Sequence, residues 1–275
     1  MVIPCYRYAH FLPEAVASAV AQTWTNLRIV IVDDGSPDDT AAVARALMAQ
    51  FPHRRIDLMQ QPNQGLAAAR NAGVRATASA YVLPLDADDR LQPNAVERLM
   101  HALLSQAADV ATPLGRTFGD SEQALVTRPV TRRRLCANNC LIYASLYRRS
   151  LFDRIDGYRS LKPGYEDWDF WLSGLELGAR FVHVPESLFC YRKHGTTMLA
   201  AADQKAMQLH AKITSYHPRL YSRWRVGVAN RLLRDGAAAS VWLRLQMLAT
   251  FLFDRRLRLF WRQAMALRAT NMLST

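Results

Sequence analysis

The chain has 275 residues, half of them apolar, which is long enough for one large α/β domain or for one domain with an appendage. Its formal net charge is +12, and the segment from Ala200 to Thr275, with 13 basic and three acidic residues, carries ten of these surplus charges. This asymmetry favours an anionic partner such as a membrane surface or a phosphorylated lipid. Nucleic acid is disfavoured, because no nucleic-acid-binding motif accompanies the charge.

The four cysteines form no C-x-x-C pair, which argues against a zinc site and indicates reduced thiols in a cytoplasmic protein. The N-terminus lacks the basic lead of a signal peptide. No apolar run reaches the roughly 18 residues expected of a membrane-spanning helix.

The first hundred residues alternate between β-like runs and helical patterns, which predicts a parallel sheet with crossover helices. The predicted strands and helices, in chain order, are Val2–Ile3, Pro13–Gln22, Arg28–Val32, Asp38–Gln50, Ile56–Met59, Leu66–Val74 and Tyr81–Leu85. The polar, Arg- and Thr-rich segment 114–134 predicts a mobile loop or a crossing between two halves. Strand-like runs follow at 181–184 and 188–190, and the pattern beyond Gly195 is helical and basic.

Acidic clusters follow two of these strands, Asp33-Asp34 and Asp86-Ala87-Asp88-Asp89. Because the carboxyl ends of parallel strands line one crevice, both clusters are expected at one edge of the sheet. Asp86 and Asp88 could share Mg²⁺ or Mn²⁺, which take oxygen ligands. The alternative is a solvated turn that caps the helix near Pro93. Asp34 could accept a hydrogen bond from a base or a ribose hydroxyl, or the cluster could only shape the turn.

Three further motifs carry candidate functional side chains. Asn63-Gln64-Gly65 opens a small-residue helix on which Arg70 could face a phosphate or a base. Glu166-Asp167-Trp168 begins a predicted helix, where a carboxylate could act as a general base and an aromatic ring could support an acceptor sugar. The alternative is ordinary helix capping by acidic residues. Arg192 and His194 could neutralise a diphosphate, or His194 could bind a metal.

Together these motifs resemble the inverting glycosyltransferases of family 2, over roughly residues 1 to 198. The matching segments are Val2-Ile3-Pro4-Cys5-Tyr6, Ile31-Val32-Asp33-Asp34-Gly35-Ser36, Asn63-Gln64-Gly65, Ala69-Arg70-Asn71-Ala72-Gly73, Leu85-Asp86-Ala87-Asp88-Asp89, Gly164-Tyr165-Glu166-Asp167 and Tyr191-Arg192-Lys193-His194. The resemblance implies a GT-A-like α/β fold, with a Rossmann-type, mainly parallel sheet flanked by helices and a basic helical C-terminal tail. It implies three parts, namely a nucleotide-sugar-binding half (1–112), an acceptor and catalytic-base half (113–198) and the basic extension (199–275).

The resemblance also implies a role for each site residue. Asp167 would be the catalytic base, with Glu166 and Trp168 beside the acceptor. Asp88 would bind Mn²⁺ or Mg²⁺, with His194 as a second metal ligand. The resemblance implies a nucleotide-sugar, with a UDP-sugar as the first expectation, that would be bound by Pro4, Tyr6, Asp34, Asn63, Gly65, Arg70, Asp86, Ala87, Asp88 and Arg192. In this set Pro4, Tyr6 and Asp34 would contact the base.

Some features depart from the family pattern. Family members usually have a few more residues before Val2, so part of the first strand is expected to be missing. Arg7 stands where Asn is common, so the pocket there could differ. Leu220 occupies the Gln position of the Q-x-x-R-W motif of processive synthases, which predicts a non-processive enzyme.

The resemblance predicts transfer of a sugar to a hydroxyl of a glycan or lipid-linked acceptor, in cell-envelope polysaccharide or glycolipid synthesis. The segment 241–267 mixes Trp, Leu and Phe with arginines, and it could lie on the inner face of the cytoplasmic membrane or pack on the catalytic domain. A sugar nucleotidyltransferase and a non-catalytic nucleotide- or glycan-binding module are the alternatives. The nucleotidyltransferase is disfavoured because Cys5-Tyr6-Arg7 is not a Gly-rich loop.

Overall fold

The computed structural model describes residues 1–195, 205–236 and 239–252. It confirms the predicted α/β architecture, and the first part is a parallel sheet with strand order β1-β2-β3. Ile29 to Val32 of β2 are buried on both faces, which explains their unbroken apolar run. The elements of this part are β1 (Val2–Cys5), α1 (Leu12–Val20), β2 (Arg28–Asp33), α2 (Thr40–Gln50), β3 (Arg55–Gln60) and α3 (Leu66–Arg75).

The second sheet has six strands in the order β4-β8-β6-β9-β5, with β7 paired to β6. Only β6 and β9 pair in parallel, so this sheet is mixed and the parallel arrangement belongs to the first part. Its elements are β4 (Tyr81–Val82), β5 (Arg90–Leu91), α4 (Ala95–Ser105), β6 (Val110–Gly119), β7 (Ala124–Leu125), α5 (Arg132–Ala137), β8 (Leu146–Arg148), α6 (Arg149–Ile155), α7 (Glu166–Glu176) and β9 (Phe181–Lys193).

Val2 joins the two sheets. Its amide donates to the carbonyl of Leu83 (3.0 Å), and its carbonyl accepts from the amide of Leu85 (2.9 Å). The chain after β4 therefore lies beside β1 and runs parallel to it. As a result, the segments that follow β1, β2 and Leu85 all leave the same edge of the sheet.

The expectation of a loop over residues 114–134 is wrong. Strand β6 continues to Gly119, and β7 and most of the first turn of α5 also fall in this segment. The reason is a long-range pairing, since β6 runs alongside β9 from Val110 opposite Phe181 to Gly119 opposite Lys193, with irregularities around Leu114. A partner strand some 70 residues away gives no local sequence signal. In β6, Arg116 is exposed while Thr117 is buried, so the polar composition of the segment does not indicate a loop.

Helix α3 lies directly on β1 and β2, because Gly73 has no side chain. A Cβ atom at this position would lie 2.4 Å from Cγ1 of Val2 and 2.9 Å from Cγ2 of Val32. Since real Cβ atoms essentially never come this close to another heavy atom, only glycine permits this helix-to-sheet distance. Arg70, one turn earlier on α3, is thereby held close to the sheet edge.

The C-terminal part is helical, as expected, with helices α8 (Ala206–Tyr216), α9 (Arg223–Asp235) and α10 (Val241–Leu252). The Ser222 hydroxyl caps α9 by accepting from the amide of Arg225 (3.2 Å). His217, fully buried after α8, contacts Asp169 (3.0 Å) and Glu176 (3.1 Å) of α7 and so ties this part to the second sheet's helices. Over the described ranges, no helix has both the length and the apolar character that crossing a membrane requires. Of the predicted interfacial segment 241–267, residues 253–267 lie outside the described residues.

Candidate active site at the edge of the sheets

Asp34 organises the loop between β3 and α3. Its buried carboxylate accepts hydrogen bonds from the side chain of Gln61 (2.6 Å) and from the amides of Gln64 (3.0 Å) and Gly65 (2.8 Å). The Asn63 amide group donates to the backbone carbonyl of Asp34 (3.0 Å). Asp34, Asn63 and Gly65 therefore form one structural unit, in which both carboxylate oxygens already have partners. The contact of Asp34 with a base stays a prediction.

Arg70 is the central cation of the site. It is 2% exposed, and it donates to both carboxylate oxygens of Asp86 (2.9 and 3.0 Å) and to Glu166 (3.1 Å). Its guanidinium also stacks over the ring of Tyr143, 5.0 Å from the ring centre. Two carboxylates and an aromatic ring surround its charge, and the contact of Arg70 with a base or a phosphate stays a prediction. Burial without these partners would be very costly, so Arg70 joins the two sheets' functional segments.

Asp88 and His194 lie together, as the predicted metal pair requires. Oδ2 of Asp88 is 3.0 Å from Nε2 of His194, although 106 residues separate them in the chain. Arg192 donates from Nε to the backbone carbonyl of Asp88 (2.8 Å), and its guanidinium pairs with Glu14. This cation is thus next to the acidic cluster.

Tyr143 and Asp89, the last residue of the acidic cluster, hold the turn from Asp86 to Asp89 in place. The Tyr143 hydroxyl donates to Asp89 (2.6 Å) and accepts from the backbone amide of Asp86 (2.9 Å). Asp89 also accepts from the amide of Arg192 (2.7 Å). Burial raises the pKa of the Asp89 carboxyl well above its usual range, and the nearby Asp88 and Asp86 raise it further. No sequence motif pointed to Tyr143 or Glu14, because their partners lie far away in the chain.

Asp167 lies in the first turn of α7, beside the ion pair of Arg70 and Glu166. Its Oδ2 accepts a hydrogen bond from the side chain of Asn139 (2.8 Å), a residue that no sequence motif singled out. Burial raises the pKa of Asp167, while the Arg70 cation and the Asn139 hydrogen bond oppose this effect. A raised pKa suits a general base, because proton transfer is most efficient when the pKa lies near the working pH.

The acceptor role expected for Trp168 is wrong. Trp168 is 1% exposed, and its indole N–H donates to the backbone carbonyl of Leu135 (2.7 Å). The ring is part of the core between α5 and α7, so it has no face to offer a sugar. Glu166 is also largely buried, at 7% exposure, and its carboxylate is engaged by Arg70. An acceptor contact of Glu166 stays a prediction.

The remaining predicted residues lie at the same edge but differ in exposure. Pro4 is buried in β1 opposite Val32, and Ala87 is 1% exposed, so a ligand could reach either of them mainly along the backbone. Tyr6 follows β1 and is 40% exposed, which leaves its ring open to a ligand. The structure therefore collects the predicted donor-site residues at one edge, where Arg70 is engaged by Asp86 and Glu166.

A divalent cation fits the donor atoms at this edge only in part. Over the described ranges, no group of three or more His, Cys, Asp or Glu residues is placed to hold a metal. Asp88 and His194 supply one carboxylate and one imidazole. Mg²⁺ and Mn²⁺ sites commonly use few protein ligands and complete their shell with water and substrate phosphate oxygens. The pair therefore fits a cation that is shared with a diphosphate.

Comparison with known sequences identifies relatives of the chain. Residues 1–160 match the family model for glycosyl transferase family 2. The chain is 37% identical over 111 residues to the uncharacterized glycosyltransferase YibD of Escherichia coli K12. This aligned region covers 40% of this chain and 32% of that protein. It is 28% identical over 200 residues to an Escherichia coli chondroitin synthase, covering 70% of this chain and 28% of the synthase. The chain thus spans about a third or less of the length of these curated relatives.

Solved structures of similar fold cover nearly the whole chain. TarS of S. aureus, in complex with UDP-GlcNAc, superposes with a TM-score of 0.65 and 18% identity over 93% of this chain and 71% of that chain. The mannosyltransferase PcManGT of Pyrobaculum calidifontis, in complex with GDP-Man and Mn²⁺, gives a TM-score of 0.64 and 18% identity over 98% of this chain and 83% of that chain. These similarities confirm the GT-A-like fold. Because the family model covers more than half of its residues, the chain belongs to glycosyl transferase family 2.

Proposed function

We propose that the protein is an inverting glycosyltransferase that moves a sugar from a nucleotide-diphosphate sugar to a hydroxyl group of a glycan or lipid-linked acceptor. The observation that carries this proposal is the position of Asp167. Its carboxylate lies in the same helical turn as Glu166, which Arg70 links to Asp86 in the acidic cluster. A direct displacement needs a base on one side of the reacting atoms and a donor site on the other.

In this reaction Asp167 accepts the proton of the acceptor hydroxyl while that oxygen attacks the anomeric carbon of the donor sugar. A new C–O bond forms, the bond from the anomeric carbon to the diphosphate breaks, and the electron pair leaves with the nucleoside diphosphate. Attack from the face opposite the leaving group inverts the anomeric configuration. Asn139 holds Oδ2 of Asp167 through its 2.8 Å hydrogen bond and so orients the carboxylate.

The second half of the proposal concerns the leaving group. Asp88 and His194 would hold a divalent cation, Mn²⁺ or Mg²⁺, which when bound neutralises charge on the departing diphosphate. Arg192 adds a fixed positive charge beside Asp88. Charges that are already in place where negative charge develops lower the barrier without reorganisation. The Asp33 to Ser36 turn and Tyr6 would hold the nucleoside part of the donor. Uridine, the nucleoside of UDP, is the first choice.

The test is release of nucleoside diphosphate from a panel of UDP-, dTDP- and GDP-sugars, with Mn²⁺, with Mg²⁺ and with EDTA. We expect release from one donor, dependent on metal and lost in Asp88→Ala. In Asp167→Asn we expect kcat to fall by about 10²–10⁴-fold, the usual contribution of a general base, while donor affinity changes little. Asp153→Asn, an exposed carboxylate on α6, is the matched control. If no donor binds in calorimetry with metal present, the proposal fails. Binding without turnover in the presence of acceptors would favour the binding-module alternative.

A further inference from the structure

Two long stretches of the chain contain no acidic residue, and the structure brings them together. Residues 123–152 include six arginines and no Asp or Glu, and residues 204–234 include seven basic residues and no Asp or Glu. They meet where the guanidinium of Arg132, at the start of α5, donates to the backbone carbonyl of Arg219 (3.1 Å). The result is a strongly basic surface, which we call the arginine surface and define by Arg128, Arg132, Arg219 and Arg223.

The charges of the arginine surface are not neutralised. All four side chains are exposed, and within the described ranges none of them forms an ion pair. Elsewhere on the surface, Arg75, Arg98 and Arg149 are each paired with a carboxylate. Arg45, Arg55 and Arg180 form no ion pair among the described residues, but they lie on or beside three separate elements. Four guanidinium groups without an acidic partner among the described residues produce a positive potential that attracts an anionic ligand. Trp224, next to Arg223 and 50% exposed, adds an open aromatic ring.

The arginine surface is connected directly to the catalytic base. Helix α5 is anchored to α7 by the hydrogen bond from Trp168 to the carbonyl of Leu135. Just past the end of α5, Asn139 donates to Asp167. The helix has six residues, so its arginine-bearing start lies about 9 Å along the axis from its C-terminal end. Asn139, which contacts the base, follows two residues after that end. Anionic groups bound there would belong to the molecule whose hydroxyl reaches Asp167.

We infer that the arginine surface binds oxyanion groups of the acceptor, so that the acceptor is an anionic glycan or a lipid-linked glycan with a phosphate group. This inference rests on the proposed function and deepens it by naming the acceptor class. Guanidinium groups bind carboxylates and phosphates through paired hydrogen bonds, so the surface serves either group. Under the proposed function the donor needs no such surface, because its diphosphate would be held at Asp88, His194 and Arg192.

The experiment measures binding by fluorescence anisotropy at low and at physiological salt, without donor or metal. Three soluble probes are used, namely a labelled oligogalacturonate with a carboxylate on every sugar, a neutral malto-oligosaccharide of equal length, and a labelled short-chain prenyl diphosphate. Vesicles of phosphatidylcholine, with and without phosphatidylglycerol, form a separate arm. The test variant is Arg128→Gln/Arg132→Gln/Arg223→Gln. The control variant, Arg45→Gln/Arg55→Gln/Arg180→Gln, removes the same charge from exposed positions on α2, at the start of β3 and just before β9.

We expect at least one soluble anion to bind tenfold or more tightly than the neutral oligosaccharide, with an affinity that falls as salt rises. The test variant should weaken this binding at least tenfold, about 1.4 kcal/mol, and the control variant less than twofold. Preference for oligogalacturonate assigns the charge to the glycan, and preference for the prenyl diphosphate assigns it to the lipid phosphate. Thermal unfolding of both variants checks that they are folded.

Three results would overturn the inference. The first is equal affinity for the anionic and the neutral probes. The second is an equal loss of anion affinity in the two triple variants. The third is retention of the protein on phosphatidylglycerol vesicles without binding of either soluble anion. The last result would identify a membrane-binding surface instead. Because no arm uses donor turnover, failure here is distinguishable from failure of the proposed function, which shows itself as absent donor binding.

Discussion

The two halves of the site differ in how they use charge. In the first half, carboxylates collect at the ends of parallel strands, and most of them are satisfied by backbone amides, a tyrosine or a buried arginine. In the second half, Arg192 and His194 contact that cluster, while the arginine surface is exposed and forms no ion pair among the described residues. The first half is therefore preorganised internally, and the second half has positive charge left for a ligand. A few contacts between the halves, above all those of Arg70 with Glu166 and of Tyr143 with Asp89, hold the two arrangements in a fixed relation.

The largest expected effect comes from breaking the buried contact between the halves. Arg70→Met should lower the free energy of unfolding by about 3–5 kcal/mol, because it leaves the Asp86 and Glu166 carboxylates without their cation. Chemical denaturation measures this loss. Arg75→Met is the matched control on the same helix, since its exposed pair with Asp156 is worth at most about 1 kcal/mol. Similar losses in the two variants would mean that Arg70 is not the cation that joins the halves.

A smaller effect is expected within the acidic cluster. Tyr143→Phe removes the hydroxyl shared by Asp89 and the Asp86 amide, and an unsatisfied buried polar group costs about 1–3 kcal/mol. Donor affinity should fall with it, because the acidic turn loses its support. Tyr147→Phe removes a buried hydroxyl whose hydrogen-bond partner among the described residues is the Tyr158 hydroxyl, so it should cost stability but leave donor affinity unchanged. An unchanged donor affinity in Tyr143→Phe would show that the acidic turn holds its shape without this support.

The smallest predicted effect is a shift in pH dependence. Asn139 stabilises the charged form of Asp167, so Asn139→Leu should raise the pKa of this carboxyl further. A general base works when it is deprotonated, and the acid limb of the kcat/KM profile should therefore move to higher pH. A hydrogen bond worth about 1.4 kcal/mol corresponds to a shift of about one pH unit. A profile that falls in height but keeps its acid limb would mean that Asn139 does not act on Asp167.

Local patterns in the sequence predicted the first half well, since each strand there is a short apolar run and each acidic motif directly follows a strand. The edge at which Asp34 and Asp86 meet follows from parallel pairing alone. The second half was harder, because β6 and β9 pair across some 70 residues and their solvent-facing positions carry the polar side chains of a loop. The side chains of Asp88 and His194, the predicted metal ligands, lie 3.0 Å apart. The prediction that they belong together came from the family pattern rather than from their spacing in the sequence.

The role of individual side chains was less predictable than their location. Arg70 and Trp168 were placed in the correct region, yet a helix pattern does not reveal that Glu166 lies within reach of the arginine or that a carbonyl of α5 accepts from the indole. Asn139 and Tyr143 belong to no motif, and only the folded arrangement shows that they hold Asp167 and Asp89. Motifs thus identify groups that act on a ligand better than groups that orient them.

The packing of α3 has a consequence for how variation at this site can be tolerated. Gly73 touches no candidate ligand position, but a methyl group there would overlap Val2 and Val32 and would force α3 away from the sheet. Arg70 sits three residues earlier, so any such displacement would move its guanidinium relative to Asp86 and Glu166 together. A change the size of one methyl group, at a residue remote from the chemistry, would therefore loosen the donor side and the base side of the site at once.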